Sequence, residues 1–239
     1  MATPLSYAKF IAALKGAGLK VVEVKTGGKS PSAHTRNAAG KWGPVNGVMI
    51  HHTVTPPSVN AVEICRKGYS GLPGPLCHAV IQRDGSVHVV GYGRTNHAGG
   101  GDPRVLDQVI AESYATAPLS PTKDNKTGVD GNARFYGFEC ANTGTGEKWP
   151  PAQLDAMRRA AAAICKAHGW TEKSVIGHKE WQKGKIDPHG ITMPTFRAGV
   201  RDELKPKPAP KPKPAPAPAP TLEQRVTKLE KDVAALKVR

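Results

Sequence analysis

Residues 48–55 read Val-Met-Ile-His-His-Thr-Val-Thr. Its apolar and β-branched residues favour a pleated, largely buried strand, and two histidines interrupt it. Neighbouring side chains on a strand point to opposite faces, so His51 and His52 cannot both enter one cleft. If one is a metal ligand, the other has a different task. A buried imidazole needs a partner, and its neutral nitrogen is a ready zinc ligand. Taken alone, the pair reads as two satisfied core or edge histidines. What weighs against that reading lies downstream, at His178 and Asp187.

The rest of the chain alternates helical and strand patterns. Residues 4–15 read as a helix, with Leu5, Ala8, Ile11 and Leu14 three apart and Gly16 and Gly18 closing it. Residues 19–24 suit a short strand, 25–47 a long Gly-, Ser-, Asn- and Pro-rich loop, and 47–55 the central strand. A helix is expected over 58–67, with Ser58 as its N-cap. Residues 76–92 carry a hairpin pattern around the Arg83-Asp84-Gly85 turn. Residues 96–102 form a Gly-rich loop holding His97, 103–114 a helix, and 115–132 a polar loop. The strand 134–142 carries Glu139 in its middle, a costly place for a carboxylate unless it is paired or functional. A helix at 150–168 ends at Gly169; a strand at 174–177 leads to His178, and a last helix covers 194–204. The expected fold is α/β: a central mixed sheet with helices on both faces.

That domain ends at 204. Residues 205–220 read KPKPAPKPKPAPAPAP. Proline at alternate positions forbids helix and sheet, so an extended spacer on the order of 50 Å is expected. Residues 221–239 are different again. Leu222, Val226, Leu229, Val233 and Leu236 follow a heptad, with Val at a and Leu at d, the pattern of parallel two-stranded coils. Arg225 and Glu230, and Asp232 and Lys237, fall at attracting g and e positions, and Thr221 with Gln224 forms a capping box. A weak homodimer through 221–239 is one expectation; a solvated, frayed helix is the other, because nineteen residues alone are marginal.

The net charge is +15, which points to an acidic partner. Residues 205–239 hold nine Lys/Arg against three Asp/Glu, so most of the excess lies in the domain. The basic linker lacks interleaved aromatics and no nucleic-acid reader motif appears, so anionic cell-wall polymers suit the charge better than nucleic acid. No run of eighteen apolar residues occurs, so no membrane span is expected. Residues 1–9 lack the features of a secretory signal. The four cysteines contain no Cys-x-x-Cys pair, which leaves one bridge open, Cys65 to Cys77, and a reduced protein as the default.

Three segments carry the chemistry: Ile50-His51-His52-Thr53, Gly177-His178-Lys179-Glu180 and Lys185-Ile186-Asp187-Pro188. A catalytic zinc takes three protein ligands and keeps one position open, and His51, His178 and Asp187 would supply that set. His189, beside Asp187, is a competing third ligand. Together with Leu76–Gly85, Asn96-His97-Ala98-Gly99 and Tyr136-Gly137-Phe138-Glu139, these motifs resemble, in order and spacing, the zinc-dependent N-acetylmuramoyl-L-alanine amidases. That family shares its fold with peptidoglycan recognition proteins, and phage endolysins are the members most similar to this chain. The resemblance implies one Zn2+ per chain on His51, His178 and Asp187, bacterial peptidoglycan as substrate, and cleavage between N-acetylmuramic acid and L-alanine by zinc-activated water. It implies Lys185 as stabiliser of the oxyanion and Glu139 as general base. Some relatives use a tyrosine where this chain has Cys77, to which only packing is assigned. His97 and Asn96 are expected near substrate, with His97 alternatively behind a ligand, and His52 and His78 in packing. The resemblance further implies an enzyme held in the host cytoplasm until it is released to the wall. The alternative is a module that binds peptidoglycan without cutting it.

Overall fold

The structure, a computed structural model, describes residues 2–206 and 221–236. Residues 207–220 of the spacer expected at 205–220, and the g–e partner Lys237, lie outside the described residues.

In chain order the elements are α1 (Tyr7–Gly16), β1 (Val21–Glu23), β2 (Gly47–His52), α2 (Ala61–Lys67), the two-residue strands β3 (Gly68–Tyr69) and β4 (Leu72–Pro73), β5 (Ala79–Ile81), β6 (Val87–Val89), β7 (Gly100–Gly101), α3 (Pro103–Ala111), β8 (Val129–Asp130), β9 (Phe135–Cys140), α4 (Pro151–His168), β10 (Val175–Gly177), α5 (His178–Trp181) and α6 (Met193–Leu204). The chain divides into two units after Lys205. The second contains α7 (Leu222–Leu236), whose Leu222, Val226, Leu229 and Val233 are exposed. The expected capping box is present: Thr221 N–H donates to Gln224 Oε1 at 3.0 Å, and Gln224 N–H to Thr221 Oγ1 at 3.3 Å.

Six strands form the central sheet, in the order β1-β6-β5-β9-β2-β10. β5, β9, β2 and β10 run parallel, while β6 turns back on β5 through the Asp-Gly hairpin and pairs in parallel with β1. The α/β architecture is therefore the one expected. Alternation sorts the strand residues between layers. Val48, Ile50, Tyr136 and Phe138 face the core shared with Phe10 and Leu14 of α1, Met157 and Ile164 of α4 and Phe196 of α6. Met49, Phe135 and Ile176 face the other way, against Val105 and Val109 of α3 and Trp181 of α5. Beside them, α2 covers Val80 of β5 with Ala61 and Cys65.

Some boundaries differ from the sequence reading. α2 begins at Ala61, and its cap is Asn60, not Ser58; the Asn60 side chain accepts from Glu63 N–H. α1 begins at Tyr7, where Ser6 accepts from Lys9 N–H. β2 stops at His52 instead of Thr55, because Val54 turns to φ 51°. α4 ends as expected, on Gly169 in the left-handed conformation. All four cysteines are free, so Cys65 and Cys77 are not bridged. Among the described residues no helix is long and apolar enough to cross a membrane.

Candidate metal centre and cleft

Because β2, β9 and β10 run parallel, their carboxyl ends share one edge of the sheet, the usual place for a site in such folds. In the β2–β9 ladder His51 lies opposite Glu139. Both project to the Met49 and Phe135 face. His52 turns to the other face, where its Nδ1 accepts from His189 N–H at 3.1 Å. The strand alternation thus separates the two histidines as expected.

β10 ends at Gly177 and hands His178 to the first turn of α5. Glu180 holds that turn in place. Its Oε2 accepts from Gly177 N–H at 3.1 Å, and both its oxygens pair with Arg197 at 2.7 and 2.9 Å. Asp187 arrives on a loop tied back to α5. Lys179 N–H donates to Asp187 O at 2.8 Å, and Lys179 Nζ donates to Pro188 O at 2.9 Å and Ile191 O at 2.6 Å. Trp149 Nε1–H adds a bond to His189 O at 2.9 Å.

Three donor atoms converge as a result. His51 Nδ1 is 3.1 Å from His178 Nδ1 and 3.0 Å from Asp187 Oδ2, and His178 Nδ1 is 3.1 Å from the same oxygen. All three residues are buried, and they are the group that could hold a metal ion among the described residues. Tetrahedral zinc, with bonds of about 2.0–2.1 Å, sets its donors roughly 3.3 Å apart, so the set needs only a slight expansion. Two facing ring nitrogens cannot both carry a hydrogen; a proton or a cation has to lie between them.

His97 decides which nitrogen of His51 is free. Its Nε2 lies 3.1 Å from Phe135 O, which can only accept, so Nε2 carries the hydrogen and Nδ1 is an acceptor. His51 Nε2, 3.1 Å from His97 Nδ1, must then be the donor. The lone pair of His51 is left on Nδ1, facing His178 and Asp187. Gly137 makes room for this arrangement, since a Cβ there would lie 2.4 Å from His97 Cγ. His97 itself is only 7% exposed, packed behind His51. His178 Nε2 is 3.4 Å from Gln182 Oε1, which gives that ring a similar backing.

The electrostatics suit a cation. Burial pushes the His51 pKa down to about 4, which keeps its imidazole neutral. Burial alone would raise Asp187, but its contacts with His178 and His51 outweigh it and hold the carboxylate well below its ordinary range. Glu139 behaves oppositely. Burial, with Cys65 and Asp187 nearby, pushes it well above the ordinary range, and Lys185 opposes this. Its Oε2 is buried and has no hydrogen-bond partner among the described residues. Glu139, Lys185, Asn96 and the three donors line one cleft of about 230 Å³. Asn96 Nδ2–H is donated to Pro73 O at 2.7 Å. His189 is exposed and outside the donor group. Cys77 is fully buried. Sequence reasoning missed Lys179, Gln182 and Trp149 as supports of the site; a lysine directly after His178 was the one available signal.

The arrangement is a group of two histidines and one carboxylate, set on the edge of a mixed sheet beside Glu139, whose Oε2 has no hydrogen-bond partner among the described residues. Residues 41–190, more than half of the chain, match the family model described as N-acetylmuramoyl-L-alanine amidase. The chain belongs to this family and is an N-acetylmuramoyl-L-alanine amidase. Similar solved structures agree with the fold. The endolysin amidase LysCS from Clostridium intestinale is 18% identical with a TM-score of 0.51, covering 76% of this chain and 95% of its own. The N-acetylmuramoyl-L-alanine amidase LysC from the same organism is 17% identical with a TM-score of 0.52, covering 76% and 97%. The Staphylococcus aureus hydrolase AmiA is 14% identical with a TM-score of 0.50, covering 85% and 93%. No curated protein matches the chain by sequence.

Proposed function

We propose that this enzyme is a zinc-dependent endolysin that hydrolyses the amide between the muramoyl lactyl group and L-alanine of peptidoglycan. The observation that carries the reading is the convergence of three donors 3.0–3.1 Å apart in the cleft that also holds the partnerless Glu139. His51, His178 and Asp187 would hold the ion. Zinc, when bound, supplies Lewis acidity to the carbonyl and to water. Glu139 takes a proton from the attacking water as its oxygen bonds to the carbonyl carbon. When the C–N bond breaks, Glu139 returns that proton to the leaving nitrogen of L-alanine. A raised pKa suits both roles, because it makes the carboxylate a stronger base and its acid form a usable donor near neutrality. Lys185 brings its ammonium to the oxygen on which charge develops. His97 keeps the His51 lone pair on Nδ1, and Asn96 lines the approach of substrate.

Outside the catalytic unit, the basic linker and α7 add affinity for anionic wall polymers, and α7 pairs weakly with a second copy. Two linked catalytic heads would gain avidity on a polymeric wall. The test is mass analysis of purified cell wall after digestion by the native chain and by His178→Ala. The native chain is expected to yield new L-alanine amino termini without new reducing sugars, and the variant neither. New reducing sugars, or equal products from the variant, would sink the reading.

A further inference from the structure

Among the described residues, Val54 and Glu112 alone combine a side chain with positive φ. Glu112, at φ 48°, closes α3 as its left-handed cap. Val54, at φ 51°, closes no helix, and a β-branched side chain is the least suited to that conformation. The strain is imposed from both sides. Thr53 N–H donates to Cys140 O and Thr55 N–H to Asn142 O, each at 3.1 Å, so the backbone keeps following β9 while skipping Val54. The hydroxyls of Thr53 and Thr55 close across it at 2.5 Å. Arg83, itself paired with Glu147, holds Thr55 O at 2.8 Å.

Glycine or asparagine would take this conformation at far less cost. What valine adds is an isopropyl group, on a residue that is 65% exposed, at the wall of the cleft that holds the donor triad. Tyr69 and Leu72, on the β3–β4 hairpin, line the same cleft and are 55% and 46% exposed. An exposed apolar side chain in a disfavoured conformation contributes little to folding. Strain of this kind is retained where the surroundings enforce it and function uses it.

We propose that Val54 is a substrate-contact residue: with Tyr69 and Leu72 it forms an apolar rim that receives the methyl groups flanking the scissile amide, one on the lactyl carbon and one on L-alanine. This rests on the amidase reading above. The rim contacts the substrate on either side of the bond, while the polar floor of Glu139, Lys185 and Asp187 serves the bond itself.

The test compares full-length wild type, Val54→Asn, Val54→Gly and Val54→Ile on a soluble muramoyl-L-alanyl peptide and its muramoyl-glycyl analogue, with thermal unfolding alongside. Val54→Asn is expected to unfold at the wild-type temperature or above. Its kcat/KM on the alanyl substrate is expected to fall about fivefold or more, mainly through KM, and its preference for alanyl over glycyl to narrow by about threefold. Val54→Gly should share the loss, and Val54→Ile, which keeps a branched apolar group, should keep the preference for alanyl over glycyl. Folded Asn and Gly variants within twofold of wild type, with the preference unchanged, would overturn the proposal. If wild type releases no L-alanine amino termini, the amidase reading fails separately. Binding of the uncleaved alanyl peptide then decides: weaker binding by Val54→Asn supports the contact, and equal binding overturns it.

Discussion

His78 and His51 are both buried at the sheet, and burial pushes both pKa values down to about 4. The difference between them lies in what their ring nitrogens meet. Around His78 the backbone supplies everything: Nδ1 accepts from Gly137 N–H at 2.9 Å, and Nε2 donates to Gly93 O at 2.9 Å. Phe10, Trp42, Tyr92 and Tyr136 pack around the ring. Around His51 only Nε2 has a conventional partner, while Nδ1 faces another imidazole nitrogen and a carboxylate oxygen. His97 lies between the two regions, against both rings. A histidine completed by backbone is part of the scaffold. One that shares its free nitrogen with two more donors is completed by a proton or a metal ion lying between them, so the two regions should separate stability from activity.

The largest expected effect is at the donors. His178→Ala should lower amidase activity about a thousandfold or more, with little change in the unfolding temperature of the chelated protein, measured by wall-suspension turbidity and calorimetry. Next comes Glu139→Gln, expected to cost about 10²–10⁴-fold in kcat while the protein keeps one zinc per chain. Loss of zinc along with activity would make Glu139 part of the metal site instead. In the wild type, kcat should fall on the acid side with an apparent pKa above the ordinary carboxylate range, because Glu139 accepts a proton only when ionised.

His97→Ala, between the regions, should weaken zinc binding by about 10–100-fold, read by competition with a chromophoric chelator. A rise in KM with zinc affinity unchanged would instead give His97 a direct substrate contact. His78→Leu should have the smallest effect on the metal and act on stability alone, costing roughly 2–4 kcal/mol by leaving Gly137 N–H and Gly93 O unpaired. The pH dependence has a definite sign. His78 drops from 6.5 unfolded to about 4 folded, so its contribution to stability is complete above about pH 6.5 and is lost as pH falls through 4. Urea denaturation from pH 7 to 4 should show wild type losing more stability than His78→Leu.

Much of this was legible in the residues. Strand alternation forces His51 and His52 apart, the Asp-Gly turn makes a hairpin, and Gly169 ends the longest helix, because each depends on local geometry alone. The convergence of His51, His178 and Asp187 was legible through the family motifs, since no local rule brings residues 51, 178 and 187 together. The start of α2 was misread because Ser58 and Asn60 are both competent caps; the three-residue spacing from Asn60 to Glu63 was the discriminating signal. Which of its two expected places His97 takes, beside substrate or behind a ligand, was not legible, because it depends on the loop folding over Gly137. Nor was the left-handed turn at Val54, which is imposed by backbone bonds to the end of β9 and runs against the preference of valine.

The most direct test of the central claim is a zinc titration of the chelator-stripped, full-length protein with amidase activity as the readout. Activity is expected to be near zero in the stripped protein, to rise linearly with added zinc and to level off at one equivalent per chain. Full activity in the stripped protein, or none at any zinc concentration, would contradict a centre built on His51, His178 and Asp187.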